Sequence, residues 1–200
     1  LYKALIKAYQ EKKVSFNDVK SFNLDEYCDL DKNHPESYYR FMHDNLFDHI
    51  DIKKENIHLP KADGNLQVAC AEYNTLLASH VIDLQLLGIG GNGHIGFNEP
   101  NTPFDSQTHI VKLAEKTRQD NKRFFNSIDE VPTNAITMGI DNIMQAKKIL
   151  LIASGKNKQD AIKRLVEGGV DERFPASILK KHPDVTLIID AQAAELLCLE

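Results

Sequence analysis

The sequence predicts an α/β fold: a doubly wound, mostly parallel sheet with helices on both faces. Two observations carry that prediction. Short apolar runs alternate with longer stretches whose apolar positions recur at helical spacing. One run, residues 82–87, leads into a glycine-rich polar turn, Leu87-Gly88-Ile89-Gly90-Gly91-Asn92-Gly93-His94-Ile95-Gly96-Phe97-Asn98-Glu99-Pro100. In open sheets of this class ligands bind outside the carboxyl ends of strands, where such a turn lies.

The elements follow in order. Leu1, Leu5, Ile6, Ala8 and Tyr9 recur at helical spacing, so the chain opens within an amphipathic helix. Residues 19–22 read as a short strand ending in Asn23-Leu24-Asp25-Glu26-Tyr27. Asn33-His34-Pro35-Glu36 reads as a helix start, with proline at an early position where its missing N–H costs nothing. Tyr38, Phe41, Met42, Leu46 and Phe47 supply that helix's apolar face. Asp63-Gly64-Asn65 is a turn, and Leu66, Ala69, Tyr73, Leu76 and Leu77 mark the next helix. A strand over 82–89 precedes the glycine loop. Strands at 109–113, 148–153 and 185–189 then alternate with helices at 115–125, 160–167 and an alanine-rich 191–197. No repeat, low-complexity segment or linker interrupts this order, so a single Rossmann-like domain over residues 1–200 is expected.

Bulk properties narrow the partners. A 200-residue chain can bury roughly 70% of its unfolded surface. Twenty-four basic and 29 acidic side chains give a net charge of −5, which argues against a nucleic-acid or anionic-membrane partner. No apolar run approaches the roughly 20 residues of a membrane span. Cys28, Cys70 and Cys198 are widely spaced and form no metal-ligand pair. An odd count without a framework suits a reducing cytoplasm.

Three clusters carry chemistry. The first is the glycine loop, where five glycines between 88 and 96 allow a sharp turn and close approach. Gly88, Gly90 and Gly93 match the dinucleotide fingerprint, which requires a helix opening at the last glycine. Pro100 and Pro103 make the continuation loop-like instead. His94 with Glu99 and Asn92 makes the same loop a candidate proton-transfer site, because a carboxylate-oriented histidine exchanges protons near neutrality. A purely structural turn is the third reading.

Asp25 and Glu26 form the second cluster. Adjacent carboxylates are ordinarily solvated. Here Phe22, Leu24 and Tyr27 flank them, so one carboxylate is expected to point inward and act as a base near pH 7. Two strand ends would then deliver a carboxylate and a histidine to one crevice. The third cluster is basic: Arg123 within Asn121-Lys122-Arg123-Phe124-Phe125, and Lys156 and Lys158 in the glycine-containing turn after the 148–153 strand. These read either as an anion site or as ordinary surface charges.

Phe22-Asn23-Leu24-Asp25-Glu26-Tyr27, His34-Pro35-Glu36-Ser37-Tyr38-Tyr39 and the 87–100 run together resemble the glucosamine-6-phosphate deaminase family, supported by 121–125, 131–139 and 185–190. The resemblance covers essentially the whole chain. It implies conversion of D-glucosamine 6-phosphate to D-fructose 6-phosphate and ammonia, with no metal or organic cofactor. Asp25 would take the C2 proton, and His94, with Glu99 as its carboxylate partner, would open the sugar ring. Arg123 and Lys158 would hold the substrate phosphate. Asn92 stands where some members carry aspartate; it orients the imidazole without charge, which leaves Glu99 as the expected main electrostatic partner of His94.

The related 6-phosphogluconolactonases share the Gly-His pair but not the Asn-Glu-Pro ending, so a lactonase with His94 as base for water is the competing enzyme reading. A sugar-phosphate-sensing module that lost catalysis is the non-enzymatic one. The family's first strand and its Thr-Pro-containing phosphate turn would precede Leu1, so a longer natural protein is expected. The family's allosteric, hexameric branch carries basic residues where His109 and Val111 stand here. A monomeric, non-allosteric, cytoplasmic enzyme acting on a small amino-sugar phosphate is therefore expected.

Overall fold

A computed structural model describes residues 1–113, 115, 118, 119, 122 and 125–197. It divides into two compact units, Leu1–Ala69 with Lys112–Ile136, and Cys70–Val111 with Thr137–Glu200. The strands are β1 (Ser21–Phe22), β2 (Asp25–Tyr27), β3 (Ile57–His58), β4 (Gln85–Leu87), β5 (His109–Lys112), β6 (Asn134–Thr137), β7 (Ile149–Ala153) and β8 (Val185–Ile189). The helices are α1 (Tyr2–Gln10), α2 (Tyr38–Asn45), α3 (Leu66–Ala78), α4 (Ile140–Met144) and α5 (Gln159–Glu167). The class is α/β with parallel pairing, as the alternation of elements implies.

In the first unit, β1 and β3 pair in parallel, Ser21 opposite Ile57 and Phe22 opposite His58. The Phe22 ring stacks on the His58 imidazole at 4.7 Å. The expected 19–22 strand is shorter because Val19 donates its N–H to the Phe16 carbonyl and closes a turn. β2 lies beside β6, and the Leu113 N–H donates to the Thr133 carbonyl. Met42, Leu46 and Phe47 are buried, and Tyr2, Leu5 and Ile6 of α1 pack on them. This is the apolar stripe that helical spacing required of both helices.

α2 begins later than expected. His34 and Ser37 donate their N–H groups to Asp31 and His34, which turns the chain through Pro35. Ser37 is the cap: its Oγ accepts from the Arg40 N–H at 3.0 Å and donates to the Lys32 carbonyl at 2.6 Å.

In the second unit, β4, β7 and β8 are parallel, with Gln85 opposite Ile149 and Ile149 opposite Val185. β4 is shorter than the expected 82–89 strand. The Ile82 carbonyl accepts from the Lys147 N–H, and Gly88 already belongs to the loop. Ile95, Met138, Ile140, Ile143, Ile149, Leu151, Ile162 and Phe174 are fully buried. α5 buries Gln159, Ala161, Ile162 and Leu165, one helical face, and ends at Gly168.

The alanine-rich helix expected over 191–197 is a series of turns. Asp190 takes the Gly155 and Ala193 N–H groups on its carboxylate, so the segment is tied to the start of the 156–158 turn instead of continuing as a helix. The helix expected over 115–125 lies largely outside the described residues, as do Arg123 and Cys198. Cys28 and Cys70 are buried thiols outside any disulfide. Among the described residues, no helix is long and apolar enough to cross a membrane.

Candidate active site

Asp25 and Glu26 open β2 and do different work. Glu26 is buried, and its carboxylate accepts three backbone N–H groups: Tyr27 at 2.9 Å, Tyr38 at 2.9 Å and Tyr39 at 2.8 Å. Two of those donors are the first of α2, where a helix leaves N–H groups without partners and favours negative charge. Glu26 therefore fastens β2 to the start of α2. The reading of this pair as solvated surface charges does not hold.

Asp25 is half-buried. Burial first, and then the like charge of Glu26, pushes its carboxyl up to about 7. Tyr27 and Tyr38 stack beside this pair with ring centroids 5.4 Å apart. Burial pushes the Tyr27 phenol up to about 12 and the Tyr38 phenol well above its ordinary value, so both remain neutral donors at physiological pH. A carboxylate poised near neutrality is suited to accepting a proton from carbon.

In the second unit the glycine loop leaves β4 and doubles back. The Gly90 N–H donates to the His94 carbonyl at 2.9 Å, and the Gly93 N–H to the Gly90 carbonyl at 3.0 Å. Gly93 has φ +87°, which only glycine adopts without strain. Gly90 lies directly under the His94 imidazole, and a Cβ there would run into the ring.

Asn92 connects the two ionisable groups of the loop. Its Nδ2 donates to Glu99 Oε2 at 2.6 Å, and its Oδ1 lies 2.8 Å from His94 Nδ1. A carboxylate only accepts, so the amide nitrogen must face Glu99 and the amide oxygen must face the ring. The proton of neutral His94 is thereby placed on Nδ1, leaving Nε2 as the basic nitrogen. Glu99 Oε1 also stands 3.6 Å from Nδ1, within ion-pair distance, so Glu99 acts on His94 directly as well as through Asn92. Burial lowers the His94 pKa, Glu99 raises it and Lys158 lowers it, with a net shift downward. The downward direction favours the neutral imidazole at pH 7.

Lys158 ends a short turn entered through Gly155 at φ +89°, and its ammonium donates to the Ile89 carbonyl at 2.8 Å. Asn92, His94, Glu99 and Lys158 are thus gathered within this unit. Asp25 belongs to the other unit, and Arg123 lies outside the described residues.

The dinucleotide reading is overturned. After Gly93 the chain forms a bridge between Ile95 and Asn98 and further turns, so no helix N-terminus follows the glycines. Sequence reasoning did not single out Asn98 and Thr137. Fully buried Asn98 donates to the Ile95 and Met138 carbonyls at 2.9 Å each, and Thr137 Oγ1 accepts from the Phe97 N–H at 3.2 Å. Asparagine immediately before Glu99 was the available signal. Among the described residues no cluster of His, Cys, Asp and Glu could hold a metal ion.

Comparison with known proteins gives the family. The family model for glucosamine-6-phosphate isomerases/6-phosphogluconolactonase matches residues 1–188. A glucosamine-6-phosphate deaminase of Halalkalibacterium halodurans is 53% identical over 197 residues, covering 98% of this chain and 80% of that protein. One from Mycoplasma mycoides subsp. mycoides SC is 56% identical over 194 residues, covering 96% and 79%. The solved structure of a monomeric glucosamine-6-phosphate deaminase superimposes with TM-score 0.94 at 48% identity, covering 98% of this chain and 82% of that one. A 6-phosphogluconolactonase from Trypanosoma cruzi shares the fold, with TM-score 0.77 at 18% identity over 99% of this chain and 81% of that one. With a loop of this geometry and a family model matching nearly its whole length, the chain belongs to the family of glucosamine-6-phosphate isomerases and 6-phosphogluconolactonases.

Proposed function

We propose that this chain is a glucosamine-6-phosphate deaminase, converting D-glucosamine 6-phosphate and water to D-fructose 6-phosphate and ammonia. The observation that carries the reading is the identity of 53% and 56% to two deaminases over nearly the whole chain, against 18% to a lactonase of the same fold.

The chemistry needs two groups with different protonation habits. His94, neutral and bare at Nε2, takes the proton of the C1 hydroxyl and returns one to the ring oxygen as the C1–O5 bond breaks, giving the open-chain aldehyde. The carbonyl at C1 then acidifies C2–H. Asp25, ionised in useful proportion near pH 7, accepts that proton. Protonation at C1 turns the resulting enolamine into a C2 imine; water adds to C2 and ammonia leaves. Asn92 and Glu99 hold the imidazole in its tautomer, and Lys158 with Arg123 binds the phosphate. No step calls for a metal or an organic cofactor.

The enzyme works as a non-allosteric monomer in the cytoplasm. That reading is supported by the monomeric state of the deaminase superimposed above and by His109 and Val111 in place of basic residues.

Purified protein should release ammonia and fructose 6-phosphate in equal amounts from glucosamine 6-phosphate, with hyperbolic kinetics. Hydrolysis of 6-phosphogluconolactone without ammonia release would replace this reading with the lactonase one. Binding of the amino-sugar phosphate without turnover would replace it with the sensing one.

A further inference from the structure

We propose that the segment after α5, residues 171–177, is a brace for the glycine loop, with Phe174 and Glu172 as positioning residues for His94 and Glu99. The proposal rests on the reading of His94 and Glu99 as working groups.

Phe174 is 1% exposed, and one face of its ring lies against Gly93, where any Cβ would collide with it. The Arg164 guanidinium of α5 stacks on the ring 4.6 Å from its centroid, so the phenyl is held by a cation as well as by its contact with the glycine. Two residues on, the Ala176 N–H donates to the Gly93 carbonyl at 2.8 Å. Gly93 immediately precedes His94, so this clasp sets the backbone from which the imidazole projects.

The far end of the loop is held by the same segment. The Glu172 carbonyl accepts from the Asn101 N–H at 2.8 Å, and its carboxylate Oε1 accepts from the Phe104 N–H at 3.1 Å. Asn101 follows Glu99 by two residues and has φ +73°, in the left-handed region that asparagine adopts more readily than most non-glycine residues.

The brace is internally fixed. Buried Ser177 donates through Oγ to the Asp171 carbonyl at 3.0 Å and accepts the Asp171 N–H at 2.8 Å. The Phe174 N–H donates to Asp171 as well. Lys158, just before α5, binds the Ile89 carbonyl. One continuous stretch of chain therefore grips the loop at Ile89, Gly93, Asn101 and Phe104, on both sides of the Asn92–His94–Glu99 relay.

The test is Phe174→Leu, which keeps a buried apolar side chain but loses the flat ring, alongside Glu172→Ala on the surface. Misplacing a working group by about 1 Å costs up to about 100-fold in turnover, so Phe174→Leu should lower kcat by about tenfold or more with KM within about twofold. Glu172→Ala should lower kcat by a smaller factor in the same pattern. In both variants the His94 Nδ1 ¹⁵N resonance should move as its hydrogen bond to Asn92 loosens, a readout that loss of stability alone leaves in place. Folded variants with the parent's kcat and an unmoved His94 resonance would overturn the brace. If the parent protein releases no ammonia, the deaminase reading fails, while the resonance still decides whether the brace exists.

Discussion

Asn92 Oδ1 faces His94 Nδ1 at 2.8 Å while Asn92 Nδ2 donates to Glu99 Oε2 at 2.6 Å, so a neutral amide separates an imidazole from a carboxylate. An amide donates to a carboxylate through its nitrogen and accepts from a ring N–H through its oxygen at once. It transmits the orienting effect of Glu99 to the ring, while burial and the charge of Lys158 outweigh the pull of Glu99 and hold the His94 pKa below its ordinary value.

Replacing Asn92 tests this relay in two directions. Asn92→Asp brings a second carboxylate beside Glu99 and next to the imidazole. That favours the imidazolium, so the acid limb of kcat should move to higher pH. Asn92→Leu removes both hydrogen bonds and should cost about 10- to 100-fold in kcat, the usual scale for groups that orient a working histidine. A pH–rate profile for Asn92→Asp that overlays the parent's would show that the amide's neutrality is immaterial.

Asp25 ties activity to stability. Asp25→Asn should lower kcat by about 10²–10⁴-fold, the usual contribution of a general base. The same change should stabilise the fold at alkaline pH. The Asp25 carboxyl is raised to about 7 when folded, against about 3.9 in an unfolded chain. Its contribution to stability is therefore complete below about pH 4 and lost as pH rises through about 7, amounting to at most about 4 kcal/mol. The asparagine variant escapes that loss, so its advantage in Tm should widen from pH 5 to pH 8. An equal Tm difference at both values would contradict the raised carboxyl.

The parts of the site that were legible in the sequence are those held by local geometry. Glycines, a histidine and a carboxylate after an apolar run marked the loop, and Pro100 and Pro103 excluded a helix after it. β3 and β6 passed unnoticed for a physical reason. β3 has two residues, and β6 follows Pro132 with three of its four residues buried, so neither shows alternation. Ser37 was hidden behind Pro35 as a helix start, because its capping role depends on turns closed by Asp31 and His34. The division of labour between Asp25 and Glu26 was out of reach. It depends on α2, twelve residues along the chain, presenting its first N–H groups to β2.

Gly90 offers a substitution that acts on His94 while leaving the chain path alone. Its backbone angles suit any residue, but a Cβ would occupy space filled by the imidazole. Gly90 is buried and its Cβ would first meet the His94 ring, so Gly90→Ala should cost no more than about 1–3 kcal/mol, the scale of a strained core insertion. kcat should fall by about tenfold or more as the ring is displaced. A large loss of stability with unchanged kcat in the folded fraction would mean that the glycine serves the turn and not the imidazole.

Glu26 is the remaining test, because its two effects can be separated chemically. Glu26→Ala leaves the Tyr27, Tyr38 and Tyr39 N–H groups without their acceptor, and should cost about 3 kcal/mol, measured by denaturant unfolding. Glu26→Gln keeps an acceptor oxygen in place but removes the charge, so its stability cost should be the smaller. Removing a like charge beside Asp25 makes that carboxyl easier to ionise, and the acid limb of kcat/KM should shift to lower pH in Glu26→Gln. The quantity to compare is the apparent acid-limb value of the whole enzyme, parent against variant. A Glu26→Gln enzyme with lowered stability and an unmoved acid limb would confine Glu26 to fastening α2. A shifted limb at nearly unchanged stability would make its charge the property that matters to Asp25.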